Sequence, residues 1–314
     1  MIGISLRQLE VFVSIAATGT VRAAAERLHV TQPAISMALA ELERQLSTTL
    51  FNRERGRLYL SLQGKELLPQ AQEILERVYD LEHYAAGRTG ILRGELRLGT
   101  SNTIGNYLVG DLLSPFITTH PQVSLHLSVE NTRDIIQRLL DYELDVACVE
   151  GPVSHPQLQQ LPWREDTLAV CAAPDHPLAR QATLTVDDFR HAKWILREPG
   201  SAMRIMAERA LSDLPPGQIF LELGQVESIK QAVMAGLGIS WLPDVATVDA
   251  VAAGRLVRLN APFLELTRRF SLILHQSRYP SAILRAFMDS LELSSEISAN
   301  KMTQHEGSQP PRLP

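Results

Sequence analysis

The chain has 314 residues, of which 45% are hydrophobic, and a formal net charge of −5. This length predicts two or three domains with full hydrophobic cores, and no apolar run reaches the roughly 20 residues of a membrane span. The two cysteines, Cys148 and Cys171, are too few for a disulfide framework and lack metal-ligand spacing. Buried, reduced thiols are expected, with a redox-sensing pair as the alternative. No signal peptide is recognisable, so we expect a soluble cytoplasmic protein.

The segment from Thr20 to Leu46 carries two helical hydrophobic patterns, separated by residues 29–31. This interruption is long enough only for a sharp corner, which predicts a DNA-binding helix-turn-helix. Thr20 and Thr31 are candidate N-caps, and Pro33 suits the first turn of the second helix, where its missing N–H costs nothing. In the helix before the motif, a predicted apolar stripe packs behind it: Leu6, Leu9, Val13 and Ala16.

The second helix of the motif has one apolar and one polar face. A buried stripe is predicted from apolar residues spaced by four, three and four: Ile35, Leu39, Leu42 and Leu46. Gln32 and Ser36 lie one turn apart on the opposite face. Gln pairs bidentately with adenine and Ser hydrogen-bonds several base edges, so these two are the predicted base readers. Any small helical bundle also has an outward polar face, and on this helix alone that alternative stays open.

Residues 50–62 alternate around a turn that contains Gly56, which predicts a β-hairpin wing beside the second helix. Three arginines in this wing suit contacts with phosphates or the minor groove. Residues 1–62 hold seven Arg against five Glu, a net charge of +2, whereas the whole chain carries −5. The expected electrostatic attraction to DNA therefore comes from this segment and not from the whole chain. The predicted DNA-binding residues are Thr31, Gln32, Pro33, Ser36, Met37, Arg53, Arg55 and Arg57.

Residues 5–64 resemble the N-terminal domain of LysR-type transcriptional regulators. The resemblance rests on the three alanines of residues 23–25, Thr-Gln-Pro-Ala-Ile-Ser, a Leu-Glu pair, Leu-Phe-x-Arg and a closing Gly64. It implies that Gln32, Pro33, Ser36 and Arg53 occupy DNA-contacting positions. The family commonly continues with basic or amide residues, whereas residues 37–41 here are Met-Ala-Leu-Ala-Glu. Fewer phosphate contacts are expected from this helix, and the wing arginines and dimer avidity are expected to supply more of the affinity.

From Gly64 to about Gly87, a heptad seam predicts a linker helix: Leu67, Ala71, Ile74, Val78, Leu81 and Ala85. The simplest partner is its copy in a second subunit, and packing on its own domain is the alternative. The resemblance favours the dimer, which places two recognition helices on successive half-sites of a near-palindromic operator in double-stranded DNA. We expect a homodimer that forms a homotetramer, with RNA polymerase as a further candidate partner and no membrane contact.

Beyond residue 92 strands and helices alternate, which predicts an α/β unit. By the resemblance, this unit is a periplasmic-binding-protein-like effector-binding domain. The expected fold is multidomain, α plus α/β: a winged helix-turn-helix (1–62), a dimerisation linker helix (63–90), a two-lobed effector domain (91–293) and a disordered tail (294–314). Lobe I comprises 91–161 and 268–293, and lobe II comprises 162–267.

Ligands of open α/β sheets bind at the carboxyl ends of strands, where helix N-termini favour anions. Segments 100–103, 198–201 and 224–228 have that position, Arg197 flanks the second, and Glu150 ends the third strand. Glu150 is expected to pair with an arginine or to contact an ammonium group. N-capping alone is the simpler explanation for any single residue here. The predicted effector-binding residues, in part by resemblance, are Thr100, Ser101, Asn102, Thr103, Glu150, Arg197, Gly200, Ser201 and Gln225.

The segments SNTIGNYL, VEGP and WILREPGS are similar to a subgroup of LysR-type regulators tied to sulphur-oxyanion metabolism. The sequence has no catalytic or nucleotide-binding motif, so no enzyme activity, cofactor or metal site is expected. The predicted function is transcription regulation by a LysR-type DNA-binding protein that responds to a small anionic effector. The alternative is a cytoplasmic solute-binding type of protein without specific DNA readout.

Overall fold

The computed structural model describes residues 3–54, 56–85, 91–212, 214 and 218–293. The predicted tail (294–314) and the end of the predicted linker (86–90) lie outside these ranges. Within them the chain forms a helical N-terminal unit with a small hairpin, a long linker helix and a larger α/β unit. None of the helices in this described part is both long and apolar enough to cross a membrane.

The N-terminal elements are α1 (Leu6–Thr18), α2 (Val21–Arg27), α3 (Gln32–Leu46), β1 (Phe51–Glu54), β2 (Arg57–Leu60) and the linker helix α4 (Leu62–Ala85). The Thr20 hydroxyl accepts a hydrogen bond from the Ala23 N–H at 3.1 Å, which confirms it as the cap of α2. Thr31 occupies the N-cap position of α3, but its side chain makes no capping hydrogen bond. That part of the prediction is wrong, since Pro33 removes one of the two N–H groups that an N-cap side chain can bind.

The core of the N-terminal unit confirms the predicted face of α3. Ile35, Leu39 and Leu42 are buried. Of the predicted stripe of α1, Leu9 is buried and Val13 and Ala16 pack partly buried against the same core, but Leu6 is 45% exposed. The stripe also omits three buried apolar residues: Val11, Phe12 and Ile15. Helix α1 is apolar almost all round, so its larger side chains decide which face packs inward.

The linker helix begins directly on the wing. The Ser61 hydroxyl donates to the Thr49 carbonyl at 2.6 Å and accepts from the Gly64 N–H at 2.9 Å. A Cβ added to Gly64 would lie 2.2 Å from the Leu50 carbonyl oxygen, so only glycine fits at this crossing. The first turn of α4 and strand β1 therefore move as one body.

The two halves of α4 differ in exposure. Leu68, Ala71 and Leu75 are buried against the N-terminal core, as the alternative of packing on its own domain requires. By contrast, Ile74 in the middle of the helix is 45% exposed, and Leu81 and Tyr84 near its end are 66% and 79% exposed. Since such large side chains are costly to leave in water, the second half of the predicted seam is available to a partner.

The effector-domain elements are β3 (Gly94–Ser101), α5 (Asn102–Tyr107), α6 (Val109–Thr119), β4 (Val123–Glu130), α7 (Thr132–Leu140), β5 (Val146–Glu150), β6 (Leu158–Ala172), β7 (Lys193–Arg197), α8 (Ala202–Leu211), β8 (Gln218–Leu223), α9 (Val226–Met234), β9 (Ser240–Pro243), α10 (Asp244–Ala252), β10 (Val257–Arg258), β11 (Leu266–His275) and α11 (Ala282–Ser290). Strand β3 pairs in parallel with β4 and β5, and β11 pairs antiparallel with β5 and β6. The main sheet has the order β10-β6-β11-β5-β3-β4, with β9 also on β6, and β7 pairs with β8.

The two lobes of this unit have separate cores. Lobe I has two buried clusters, one with Leu98, Phe116 and Phe287 and one with Ile135 and Val149. The core of lobe II contains Trp194 and Trp241, whose rings stack at 4.3 Å. Strands β6 and β11 run through both cores and pair antiparallel along their shared length. The carboxyl ends of β3 and β5 therefore face lobe II, with β6 and β11 connecting the lobes behind them.

The linker helix docks on lobe I through a buried polar cluster. Arg278 donates to the Gln72 amide oxygen and to the Asp145 carboxylate, each at 2.8 Å, and pairs with Glu76. Burial alone would raise the pKa of Asp145, but the attraction of Arg278 and Arg97 lowers it. For Glu76, burial outweighs the attraction of the shared Arg278 guanidinium and raises the pKa to about 7.

This shift predicts a pH-dependent interface. A carboxyl group whose pKa rises on folding contributes stability that is complete below its unfolded-state pKa near 4.5 and is lost as the pH rises to about 7. Glu76→Gln removes that loss. The variant should therefore become more stable relative to the natural chain as the pH rises, and the difference between their free energies of unfolding should grow by about 1–3 kcal/mol from pH 5 to pH 8. Urea denaturation at the two pH values measures it. Glu73→Gln, at an exposed pair with Arg77, is the control. A difference independent of pH would contradict the prediction.

Candidate nucleic-acid interface and effector cleft

The N-terminal half of α3 presents the predicted base-reading residues to solvent. Thr31, Gln32, Pro33, Ser36 and Met37 are all exposed, Met37 to 72%. Among the described residues, neither the Gln32 nor the Ser36 side chain is engaged in a hydrogen bond. Both are therefore free to meet base edges without breaking a contact inside the protein.

The wing carries the unpaired positive charge of this unit. Arg53 and Arg57 are exposed and form no ion pair among the described residues. Arg55 lies outside the described residues. The other arginines of the unit are engaged by carboxylates: Arg7 by Glu10, Arg22 by Glu26, Arg27 by Glu95 and Arg44 by Glu41. This distribution supports the expectation that the wing, rather than α3, supplies the phosphate contacts.

At the cleft, the ends of β3 and β5 meet a buried ionic cluster. The Ser101 hydroxyl donates to the Glu150 carboxylate. Arg268 Nη1 lies 3.5 Å from Glu150 Oε1, and its Nη2 bonds Asp166 at 2.8 Å and Thr103 Oγ1 at 3.1 Å. The prediction that Glu150 pairs with an arginine is confirmed. Burial raises the pKa of Asp166 despite the attraction of Arg268.

The N-termini of α7 in lobe I and α8 in lobe II lie next to each other. Helix α7 begins at Thr132, and Ser201 immediately precedes α8. They are joined by the Arg133 N–H, which donates to the Gly200 carbonyl at 3.1 Å. The hydroxyl oxygens of Thr132 and Ser201 are buried and have no hydrogen-bond partner among the described residues. Polar groups thus converge here from both lobes with bonding capacity unused.

The remaining predicted effector residues are placed differently. Arg197 is 1% exposed and bonds Glu198 through Nε and Nη2, which leaves Nη1 buried and without a partner in the described structure. The Thr100 hydroxyl lies against Gly105, on the face of β3 opposite to Ser101. Asn102 is buried at the start of α5, and Gln225 is exposed before α9. Among the described residues, no side-chain hydrogen bond or ion pair joins Gln225 to the other predicted residues.

A second contact between the lobes lies on the α5–α9 side. The Tyr107 hydroxyl donates to Glu227 Oε2 at 2.5 Å, and Lys230 pairs with the same carboxylate at 2.7 Å. Burial alone would raise the pKa of Glu227, but hydrogen bonds from Lys230, Tyr107 and Gln231 lower it to about 2. This contact therefore stays charge-assisted at neutral pH.

Both the N-terminal unit and the α/β unit match known protein families. Residues 6–65 match the family model for the bacterial regulatory helix-turn-helix protein of the lysR family, and residues 89–294 match the LysR substrate binding domain. The HTH-type transcriptional regulator YeiE of Escherichia coli is 38% identical over 287 residues, which is 91% of this chain and 96% of that protein. The regulator CfxR of Cupriavidus necator is 36% identical over 241 residues, 76% of this chain and 75% of its own length.

Solved structures agree with these matches. A full-length OxyR variant from Pseudomonas aeruginosa has a TM-score of 0.75 at 25% identity and covers 93% of this chain and 96% of its own. The CcmR regulatory domain of Synechocystis was determined in complex with 2-PG. It has a TM-score of 0.59 at 29% identity, and the match covers 67% of this chain and 98% of that domain. These matches decide against a solute-binding protein without DNA readout. The chain belongs to the LysR family and is a DNA-binding transcriptional regulator with a helix-turn-helix and an effector-binding domain.

Proposed function

We propose that this regulator binds a small anion in the cleft between its two lobes. The observation that carries the proposal is the set of unpartnered atoms Thr132 Oγ1, Ser201 Oγ and Arg197 Nη1. A buried polar atom without a partner costs about 1–3 kcal/mol, so a ligand that accepts hydrogen bonds from these groups is stabilised. The N-termini of α7 and α8 lie next to each other, and helix N-termini favour negative charge.

The charges of the cleft favour one side of it for such an anion. Glu150 and Asp166 outnumber Arg268, so this ionic cluster does not favour a further negative group. We therefore propose that the anion lies toward Ser201 and the start of α7, away from Glu150. The related CcmR domain has been determined with 2-PG, a small anion, which supports this ligand class. Sulphur oxyanions are the first candidates because of the subgroup resemblance.

The DNA-binding part of the proposal assigns base reading to Gln32 and Ser36 and phosphate contacts to Arg53 and Arg57. The exposed second half of α4 would pair with its copy in a second subunit, so that two recognition helices address one operator. Effector binding would act on DNA through its different affinity for two arrangements of these subunits.

Ser201→Ala separates effector binding from stability. Because Ser201 Oγ has no internal partner, its removal breaks no hydrogen bond within the protein, and the thermal midpoint should stay within about 2 °C of the natural chain. A hydrogen bond to a charged ligand is lost, so the affinity for the anion should fall about 10- to 100-fold. Thermal shift and calorimetry with an anion panel of sulfate, thiosulfate, phosphate and small carboxylates measure both quantities.

The matched control is Ser290→Ala, since the Ser290 hydroxyl donates to the Phe287 carbonyl at 2.7 Å in α11, away from the cleft. This variant should lose a little stability and keep the anion affinity of the natural chain. The anion proposal fails if no member of the panel stabilises the natural protein, or if Ser201→Ala binds the anion with unchanged affinity.

A further inference from the structure

Two hydrogen bonds cross the surface of the cleft from a single residue, Arg133. Its backbone N–H donates to the Gly200 carbonyl at 3.1 Å, and its guanidinium Nη2 donates to the Pro199 carbonyl at 2.6 Å. Arg133 lies in the first turn of α7 in lobe I, whereas Pro199 and Gly200 precede α8 in lobe II. We name this pair of bonds the Arg133 clasp. The Arg133 side chain is 64% exposed, so the clasp lies at the opening of the cleft.

The clasp satisfies a donor that α7 itself cannot satisfy. The first N–H groups of a helix have no acceptor within the helix. The neighbouring N–H groups, of Asp134 and Ile135, are bonded to Asn131 in the same lobe. The acceptor of the Arg133 N–H belongs to the other lobe, so this bond exists only while the lobes are together.

The absence of a side chain at Gly200 leaves room for the Arg133 guanidinium. The φ of +102° at Gly200 is a conformation that L side chains rarely adopt, and an added Cβ would lie 2.5 Å from Arg133 Nη2 and 2.7 Å from Nε. A side chain at residue 200 would therefore displace Arg133. At Gly110, which lies in α6 of lobe I, an added Cβ meets no atom within 4 Å and φ is not positive, so this glycine is a control.

We propose that the Arg133 clasp is the gate of the effector cleft, and that Arg133 is a positioning residue that sets how fast a bound effector leaves. The inference rests on the proposed function, because a gate requires a ligand in the cleft. On the other side, Tyr107 and Glu227 hold the lobes through a charge-assisted contact, and β6 and β11 connect them behind. The clasp has neutral acceptors and is open to water, so it is the weaker side and opens first.

Hydrogen exchange of the Arg133 amide in the full-length protein tests the gate directly. In the natural chain this amide should be protected, and in Gly200→Ala its exchange should be at least about tenfold faster. In Arg133→Ala the backbone bond remains, while the side-chain bond to Pro199 and an exposed 3.9 Å ion pair with Asp134 are lost. Exchange at residue 133 should therefore be about 2- to 10-fold faster. Gly110→Ala and Arg138→Ala are controls, since Arg138 pairs with Glu130 and Glu143 inside lobe I.

The anion panel of sulfate, thiosulfate, phosphate and small carboxylates is then added to each variant. The proposal is supported if an anion slows exchange at residue 133 of the natural chain, and if that anion dissociates faster from Arg133→Ala. Equal exchange at residue 133 in the natural chain and in both clasp variants overturns the gate, whatever Ser201→Ala shows. A third result is also possible: the amide of residue 133 is protected, Gly200→Ala abolishes this protection, and no anion changes it. This result supports the clasp as the contact between the lobes and overturns the anionic effector. Should Gly200→Ala fold poorly, Arg133→Ala alone decides.

Discussion

Replacement of Arg268 by Met is expected to lower the free energy of unfolding of the effector-binding domain by about 3–5 kcal/mol. Among the described residues, Arg268 is the only cation that pairs with Glu150 and with Asp166. These two residues are 1% and 6% exposed. Without Arg268, each carboxylate either stays ionised in a poorly solvated site or binds a proton at a cost. Urea denaturation followed by tryptophan fluorescence measures the loss.

The adjacent arginine provides the control. Arg269 pairs with Glu165 at the surface, with side chains 59% and 64% exposed, so Arg269→Met should cost less than about 1 kcal/mol. Adding Glu150→Gln and Asp166→Asn to Arg268→Met should restore part of the stability, because the uncompensated charges are then gone. Equal losses for the two arginine variants would show that the cluster does not stabilise the domain.

Replacement of Gln32 by Ala is expected to weaken binding to the specific operator by about 10- to 100-fold, the range for loss of one bidentate base contact. Binding to random DNA and the salt dependence of binding should not change, because the neutral Gln32 side chain releases no counterion. Arg53→Ala should do the opposite: weaken both kinds of complex and lower the salt slope by about one. Fluorescence anisotropy, on random DNA and on an operator selected from it, measures both affinities and their salt dependence for each variant.

Gln45→Ala is the matched control, since Gln45 lies near the other end of α3 and donates to Glu41 at 2.8 Å. It should bind the selected operator like the natural chain. If Gln32→Ala lost the same factor on selected and on random DNA, Gln32 would be a backbone contact, and the assignment of base reading would be wrong.

The elements of this fold were predictable where the sequence pattern is strong and local. The buried face of α3 and the hairpin after it follow from spacing and turn residues within about thirty positions. The predicted face of α1 was only partly right, because apolar residues surround most of the helix. The expected start of lobe II at residue 162 falls inside β6, which begins at Leu158 and whose polar residues and Pro162 hide its alternation.

The cleft was predictable only in part. Ser101, Glu150 and Ser201 follow from their position after strands and before helices. Arg268 could not be found in this way, because the chain brings it to Glu150 from β11, across long-range antiparallel pairing. In the sequence it is indistinguishable from Arg269, and only the register of β11 decides which of the two is buried. Arg133 and Thr132 are likewise ordinary first-turn residues until lobe II is placed opposite them.

The crossing of Gly64 over the Leu50 carbonyl has a consequence for how DNA is held. Because the start of α4 and the wing are joined there without slack, a rotation of the linker helix about its own axis swings Arg53 and Arg57 through the same angle. Helix α4 has 24 residues and is about 36 Å long. In the dimer that we propose, a small tilt between two paired linker helices would therefore become several ångströms at their ends. We therefore expect a change in subunit packing to alter the curvature of the bound operator while every contact inside each DNA-binding unit stays the same.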